Sequence, residues 1–437
     1  SCLKVLGCKI PEYWWDCFVE NKKLYQGRVS DAKGSWSMLT AANRYGIETM
    51  TEDRKKWEIE QILTNPEHPI ESILEYCEKD VIATEKLFIE QLKDIERHFD
   101  NKGPLEIIQH GLFHGRSMAA MAEIECNGMP IDNKLYDEIN NNFPLIKEKI
   151  INDFNAKYPV YENGKFSMKK FKAFIDSLGL LQQWPRTPSG ALSITEKNIY
   201  NYAQSYPAIN EFYFVKEFVE SQKLKGFVVG PDGRARTSLN MFGIKTGRTN
   251  QSTALYPFNA AKPMRNILCP APNHAYIYAD YVSQEIAIAA YLSKDEKLIN
   301  AYKEGDVYIY TAKLAGAVPA DATKKTHKKE RNEYKIATLA TFYGQGHKSL
   351  AARLMISEAK AIELIANIKN IYSTYFGWVN GLVSRTFARG YISTKYGWKL
   401  WITNVDKINP RTLSNFPIQA HGSEMLRFAI LNLIKNK

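Results

Sequence analysis

Apolar and polar positions along this chain follow two periods, and the change from one to the other marks its elements. In HPIESILEYCEKDVIATEKLFIEQLKDIERHF, Ile70, Ile73, Leu74, Cys77, Val81, Phe88, Leu92 and Ile95 predict one long helix with a single apolar stripe. GLFHGRSMAAMAEIECNGMPID predicts a second helix, ended by Asn127-Gly128 with Pro130 beyond as a stop signal. From Gly226 to Ser252 the period shortens. There apolar or Thr residues alternate with Gly-rich turns, the pattern of antiparallel strands. Tyr276, Ile277 and Tyr278 follow the turn PAPNH and predict a short strand ending on Asp280. QEIAIAAYLS then returns to the helical period, with Ile286, Ala289, Ala290 and Ser293 on one face. Near the end, GYISTKYGWKLWI reads as two short strands around Gly397, before a long helical stretch from Arg411.

Two of these stretches carry candidate chemistry. A carboxylate at the tip of a buried strand has a rigid support and an exposed head, so Asp280 is a candidate metal ligand. The same Asp could instead cap the following helix. In RNEYKIATLATFYGQG, Arg331, Lys335, Leu339 and Tyr343 recur every fourth residue. Residues four apart drift by only about 40° around a helix, so the four share one broad stripe. Two cations and an aromatic on that stripe suit a nucleoside triphosphate, with charges for the phosphates and a ring near the base. A solvated basic face is the plain alternative. Gly344 and Gly346 end the helix and would let it hinge.

Composition adds a polyanionic partner to this picture. The 437 residues carry a formal charge of +11 and a pI near 9.1, and 45% of them are hydrophobic, enough for several ordinary cores. Six cysteines form no CxxC pair and read as free thiols of a reducing compartment. No apolar run reaches membrane-spanning length and no signal pattern is present, so a cytoplasmic protein is expected.

Asp280-Tyr281-Val282-Ser283-Gln284-Glu285 resembles the first palm motif of the family A (bacterial DNA polymerase I) enzymes, in particular their phage-type members. The Ser-Gln pair is moved by one position, but the Asp-to-Glu spacing is kept. Arg331, Lys335, Leu339, Tyr343 and Gly344 resemble the family's fingers motif, with Leu339 in place of the usual Phe or Tyr. The resemblance implies an α+β right-hand fold. Its divisions are a thumb over 103–227, palm over 228–295 and 378–437, and fingers over 296–377. Residues 1–102 would be the C-terminal part of an RNase H-like 3′–5′ exonuclease domain.

The resemblance implies template-directed nucleotidyl transfer from a dNTP to a DNA primer 3′-hydroxyl, with two Mg²⁺ ions (Mn²⁺ as the alternative). Asp280 and the Tyr281 carbonyl would bind the metals. Arg331 and Lys335 would neutralise the triphosphate, and Tyr343 would sit near the nascent pair. Glu285 would fill the space of a ribose 2′-hydroxyl. Thr246-Gly247-Arg248 matches a palm motif whose Arg reaches the minor groove. Arg411, Asn415 and Gln419 match positions that contact primer–template.

Three departures shape the expectation. Tyr308 stands where the family has a phosphate-contacting His. Tyr76 and Asp80 resemble the third exonuclease motif, without the first two, so no proofreading is expected. The family's His-Asp motif, source of the second palm carboxylate, does not occur, and the sequence reads as a piece lacking both ends. The chain is therefore expected to bind primer–template and dNTPs as a monomer and to extend poorly, with Glu424 the nearest substitute carboxylate. A binding remnant without catalysis is the alternative. Any processivity partner stays open.

Overall fold

The computed structural model describes residues 7–9, 11–29, 36–98, 103–203, 205–220, 228–251, 262–406 and 408–435. The first helix, α1 (Cys17–Tyr25), is capped by Asp16, whose Oδ1 accepts from Val19 N at 3.0 Å. It is followed by α2 (Met38–Arg44), α3 (Glu52–Thr64) and the long α4 (Ile70–His98). The length of α4 matches the periodicity, but its buried row does not. Ala83, Leu87, Gln91 and Ile95 face the core, whereas Ile70, Leu74 and Val81 are exposed. That row recurs every fourth residue and lies against α1 and α2, where Gln91 Nε2 donates to the Cys17 carbonyl at 2.9 Å.

The helix α5 (Pro104–Asn127) opens with Pro in its first turn and ends at Gly128, whose φ of 59° only Gly adopts without strain. Its Gly111 and Gly115 leave room for Trp15 and the Trp14 backbone, where any Cβ would collide. Beneath this contact, Glu20, Lys23 and His114 form a fully buried polar cluster at 2.7 Å spacing. Burial alone would raise the Glu20 carboxyl. The Lys23 ammonium and the His114 ring outweigh it and hold that carboxyl near 2.

The chain then makes an excursion. After β1 (Met129–Pro130) come α6 (Asn133–Asn155), the hairpin β2 (Tyr161–Glu162) and β3 (Lys165–Phe166), then α7 (Met168–Ser177), α8 (Glu196–Ala203) and α9 (Pro207–Glu220). These elements pack on their own aromatic core, including Phe154, Phe171, Trp184 and Phe212. The return is through β4 (Val228–Val229) and β5 (Arg234–Arg236). Together with β1 they form an antiparallel sheet in the order β1-β5-β4. A second antiparallel pair, β6 (Leu239–Asn240) with β7 (Asn250–Gln251), completes the strands expected here.

Beyond it lie the short 3-10 turn Lys262–Ile267, then α10 (Gln284–Ser293), α11 (Glu296–Lys303), α12 (Val307–Leu314), α13 (Lys328–Phe342), α14 (His347–Leu354), α15 (Glu358–Ile371) and α16 (Ser373–Arg389). A large core joins them, with Ile286, Ala289, Leu298, Ala337, Leu364 and Tyr375 at its centre. The expected hairpin around Gly397 is β8 (Tyr391–Ser393) with β9 (Lys399–Trp401), and α17 (Pro410–Lys435) closes the chain. The expected strand before Asp280 does not form. Residues 274–280 carry no secondary structure, and Ile277 and Tyr278 are 92% and 88% exposed. A strand is held by cross-strand hydrogen bonds, and no described residue offers this segment a ladder.

Candidate active site

The stripe on α13 exists as a surface. Tyr334, Ala337, Thr338 and Thr341 turn into the core, which leaves Arg331, Lys335, Leu339 and Tyr343 on the outer side. Lys335 is exposed, and the other three are partly buried. The helix ends where the glycines predict, with Tyr343 as C-cap and Gly344 at φ 69°. A Cβ at Gly344 would lie 3.2 Å from Arg411 Cγ, so the glycine also lets the Arg411 side chain cross the end of α13.

Three helices distant in sequence build one crevice beside this stripe. Glu285 from α10, Leu339 and Tyr343 from α13, and Asn415 from α17 line it. Arg248 Nη2 donates to Glu285 Oε1 at 3.4 Å, which brings a fifth expected residue to the same place. The loop carrying Arg248 is held from several sides. Trp398 Nε1 donates to the Lys245 carbonyl at 2.9 Å, and the Gln26 amide donates to the same oxygen. Arg427 donates to the Gly247 carbonyl, and its guanidinium lies 3.8 Å from the centre of the Phe242 ring. Burial pushes the Arg427 guanidinium down to about 10, against the opposing pull of Glu424. Nothing in the local sequence marked Arg427 as the support of this loop.

Arg331 does not share the open setting of Lys335. Its Nε donates to Asp306 Oδ2 at 2.5 Å, and its guanidinium lies 5.6 Å from the centre of the Tyr308 ring. Asp306 is itself fixed as the N-cap of α12, where Oδ1 accepts from Tyr308 N and Ile309 N at 3.2 and 3.3 Å. Burial raises the Tyr308 hydroxyl's pKa, with Arg331 opposing. Sequence reading missed Asp306 as a partner; an Asp directly before an apolar helical run was the available signal.

Asp280 neither ends a strand nor caps α10. The N-cap position belongs to Ser283, at φ 46° and without a side-chain cap bond. Asp280 is exposed and makes no hydrogen bond or ion pair with the described residues. Tyr281 OH reaches the Met425 carbonyl at 3.5 Å, and Gln284 Nε2 donates to the Gly422 carbonyl at 3.2 Å. Glu424 does not substitute for a second carboxylate here. It is 1% exposed and accepts from Thr394 Oγ1, so its oxygens face the core. Among the described residues no three His, Cys, Asp or Glu converge. One exposed carboxylate does not fit a pair of Mg²⁺ ions, which take near-octahedral oxygen ligation.

The remaining expected residues fall in two places. Gln419 sits one turn beyond Asn415 on α17, partly buried, with its carbonyl accepting from Ser423 Oγ at 3.0 Å. Tyr76 and Asp80 share a face of α4, where Lys55 Nζ lies 2.6 Å from Asp80 Oδ1 and 5.8 Å from the Tyr76 ring centre. An ammonium therefore occupies the side of Asp80 that a cation would use.

Comparison with known proteins bears on the fold that carries these residues. Residues 221–436 match the profile of DNA polymerase family A. The chain is 24% identical over 398 residues to DNA polymerase I of Chloroflexus aurantiacus, covering 84% of this chain and 40% of that protein. It is 25% identical over 393 residues to DNA polymerase I of Aquifex aeolicus, covering 82% and 64%. The chain thus spans less than two thirds of these relatives. Among solved structures, the POL domain of Pol1 from M. smegmatis, in complex with DNA primer-template and dNTP, superposes with a TM-score of 0.74 at 19% identity. That match covers 99% of this chain and 73% of the other, and it shows the α+β polymerase fold. Over residues 221–436, the chain is thus similar to DNA polymerase family A, and its fold is that of the polymerase domain.

Proposed function

We propose that this chain is the polymerase part of a phage-type enzyme that copies a DNA template by adding nucleotides from dNTPs to a primer 3′-hydroxyl. The observation that carries this reading is the crevice in which Glu285, Leu339, Tyr343 and Asn415 meet, with Arg248 paired to Glu285. Lys335 is free to meet a triphosphate on the outer face of α13, and Arg331 joins it once released from Asp306. Tyr343 and Gly344 stand at the end of that helix, where a base would lie. Glu285 keeps the sugar position narrow and so favours deoxynucleotides. Arg248, Arg411, Asn415 and Gln419 take the primer–template, aided by a net charge of +11.

Residues 103–227, with α5 to α9, are the proposed thumb; 296–377, with α11 to α15 and the start of α16, the fingers; and 228–295 with 378–437 the palm. The expected boundaries at 102/103 and 227/228 fall beside residues outside the described ones. The helices before residue 99 are a proposed exonuclease-like remnant, with Tyr76 and Asp80 its trace. A divalent ion such as Mg²⁺ is proposed at Asp280 and the Tyr281 carbonyl, and a second ion would need ligands beyond these two. No described helix is long and apolar enough to cross a membrane; a cytoplasmic monomer is the proposed state.

A second reading is favoured by the lone carboxylate at position 280: the chain binds DNA and nucleotide without transferring it. Extension of a labelled primer with Mg²⁺ and dNTPs separates the two. Template-dependent extension supports the enzyme. Nucleotide-dependent DNA binding without extension favours the second reading, and failure to bind primer–template removes both.

A further inference from the structure

The loop between β6 and β7 that carries Arg248 is held in an unfavourable shape. Phe242 is fully buried at a φ of 52°, a left-handed conformation that a bulky residue keeps only where its surroundings impose it. The Phe242, Lys245 and Gly247 carbonyls all accept from side chains of other elements. Arg427 and Trp398 supply their share from the two sides of the palm. The rest comes from the amino-terminal helices.

Lys22 on α1 donates from Nζ to the Phe242 carbonyl at 3.0 Å, across 220 residues of sequence. Gln26, the C-cap of α1, donates from Nε2 to the Lys245 carbonyl, across 219. Both side chains are buried. A lysine ammonium leaves water only where its contacts offset the lost hydration, so the Phe242 contact is a built one. The Phe18 ring, centred 4.8 Å from the same ammonium, adds to that offset.

The end of α1 is also locked in place. Trp401 N on β9 donates to the Gln26 carbonyl at 2.9 Å, and Thr403 Oγ1 to the Gly27 carbonyl at 3.0 Å. Gly27 has a φ of 90°, and a Cβ there would lie 2.0 Å from the Trp401 carbonyl oxygen. The helix is therefore fixed to the palm hairpin on one side and to the Arg248 loop on the other. Arg248 itself keeps 43% of its side chain exposed.

We infer that α1 is a working part of the DNA site. Through the Phe242 and Lys245 carbonyls, Lys22 and Gln26 set where the Arg248 guanidinium stands relative to Glu285 and to primer–template. Both act as positioning residues. The inference rests on the polymerase reading and extends its site beyond residues 221–436, the part that matches the family profile.

The test is a double-mutant cycle on primer–template affinity, read by anisotropy with the whole 437-residue chain. Arg248→Ala is expected to weaken binding by roughly 5- to 100-fold, the worth of one good base contact. Lys22→Met is expected to weaken it by roughly 3- to 30-fold in the parent, within the range for coupled neighbours. Once Arg248 is Ala, Lys22→Met is expected to cost nothing further, because both changes act through one guanidinium. Gln26→Met keeps the backbone bridge to β9 and is expected to show the same dependence. It takes the place of Lys22→Met should circular dichroism show that variant unfolded. No loss in either support variant, or the same loss with and without Arg248, overturns the inference and leaves the polymerase reading intact. No loss in Arg248→Ala overturns the inference together with the role of Arg248. Failure of the unaltered chain to bind primer–template overturns the polymerase reading itself.

Discussion

Arg331 and Asp306, 25 residues apart, form an ion pair at 2.5 Å in which the acid is already committed as the cap of α12. The pair engages an Arg that a triphosphate would need. Asp306→Asn keeps the capping oxygen but removes the charge that competes with phosphate. Nucleotide affinity is expected to rise by roughly fivefold, matching about 1 kcal/mol for a partly exposed pair. Titration of dNTP onto the DNA-bound protein reads this directly. Weaker or unchanged binding would show that Arg331 is not a phosphate ligand.

Among the described residues, Lys335 has no such competitor. Lys335→Ala is expected to weaken dNTP binding by about 1.5–3 kcal/mol, the size of a charged hydrogen bond. The same titration serves, and unchanged affinity would remove the triphosphate from this face of α13.

Glu285 narrows the crevice and accepts from Arg248. In an extension-competent form, Glu285→Ala is expected to raise ribonucleotide use relative to deoxynucleotide opposite the same template base. If the rNTP to dNTP ratio does not move, the sugar is read elsewhere, with Leu339 the next residue to change.

The buried Glu20–Lys23–His114 cluster makes the fold acid-sensitive. The Glu20 pKa is depressed from 4.5 to about 2 in the folded chain, so its stabilising contribution is complete above about pH 4.5 and fades as pH falls toward 2. Burial also depresses His114 from 6.5, so its loss begins at higher pH, as the unfolded chain takes up the proton first. Urea midpoints are therefore expected to fall from pH 7 to 4 and again below 4. At pH 7, Glu20→Gln removes one member of a buried charge pair and is expected to cost about 3–5 kcal/mol. A midpoint indifferent to that change would place the cluster in water.

Much of the site was legible because local period carries it. The α13 stripe, its end at Gly344 and the spacing of Arg411, Asn415 and Gln419 are all consequences of 3.6 residues per turn. The alternation before β5 and around Gly397 likewise gave the strands. What failed needed distant neighbours. Tyr276 to Tyr278 have strand propensity, but propensity does not supply a paired edge. On α4 the apolar residues outnumber what α1 and α2 can cover, so periodicity chose the wrong row. The Arg331–Asp306 pair and the support of Arg427 join segments whose separation in sequence says nothing of their meeting.

The sheet order β1-β5-β4 has a further consequence for the body between Asn133 and Glu220. Its entry strand and exit strand flank the same middle strand, so the two tethers are only about 10 Å apart, two strand spacings. A body with its own aromatic core on two such close anchors is a cassette. Cut out and expressed alone, it is expected to fold on that core, and in exchange for another of similar anchor spacing β5 is left to pair on both edges.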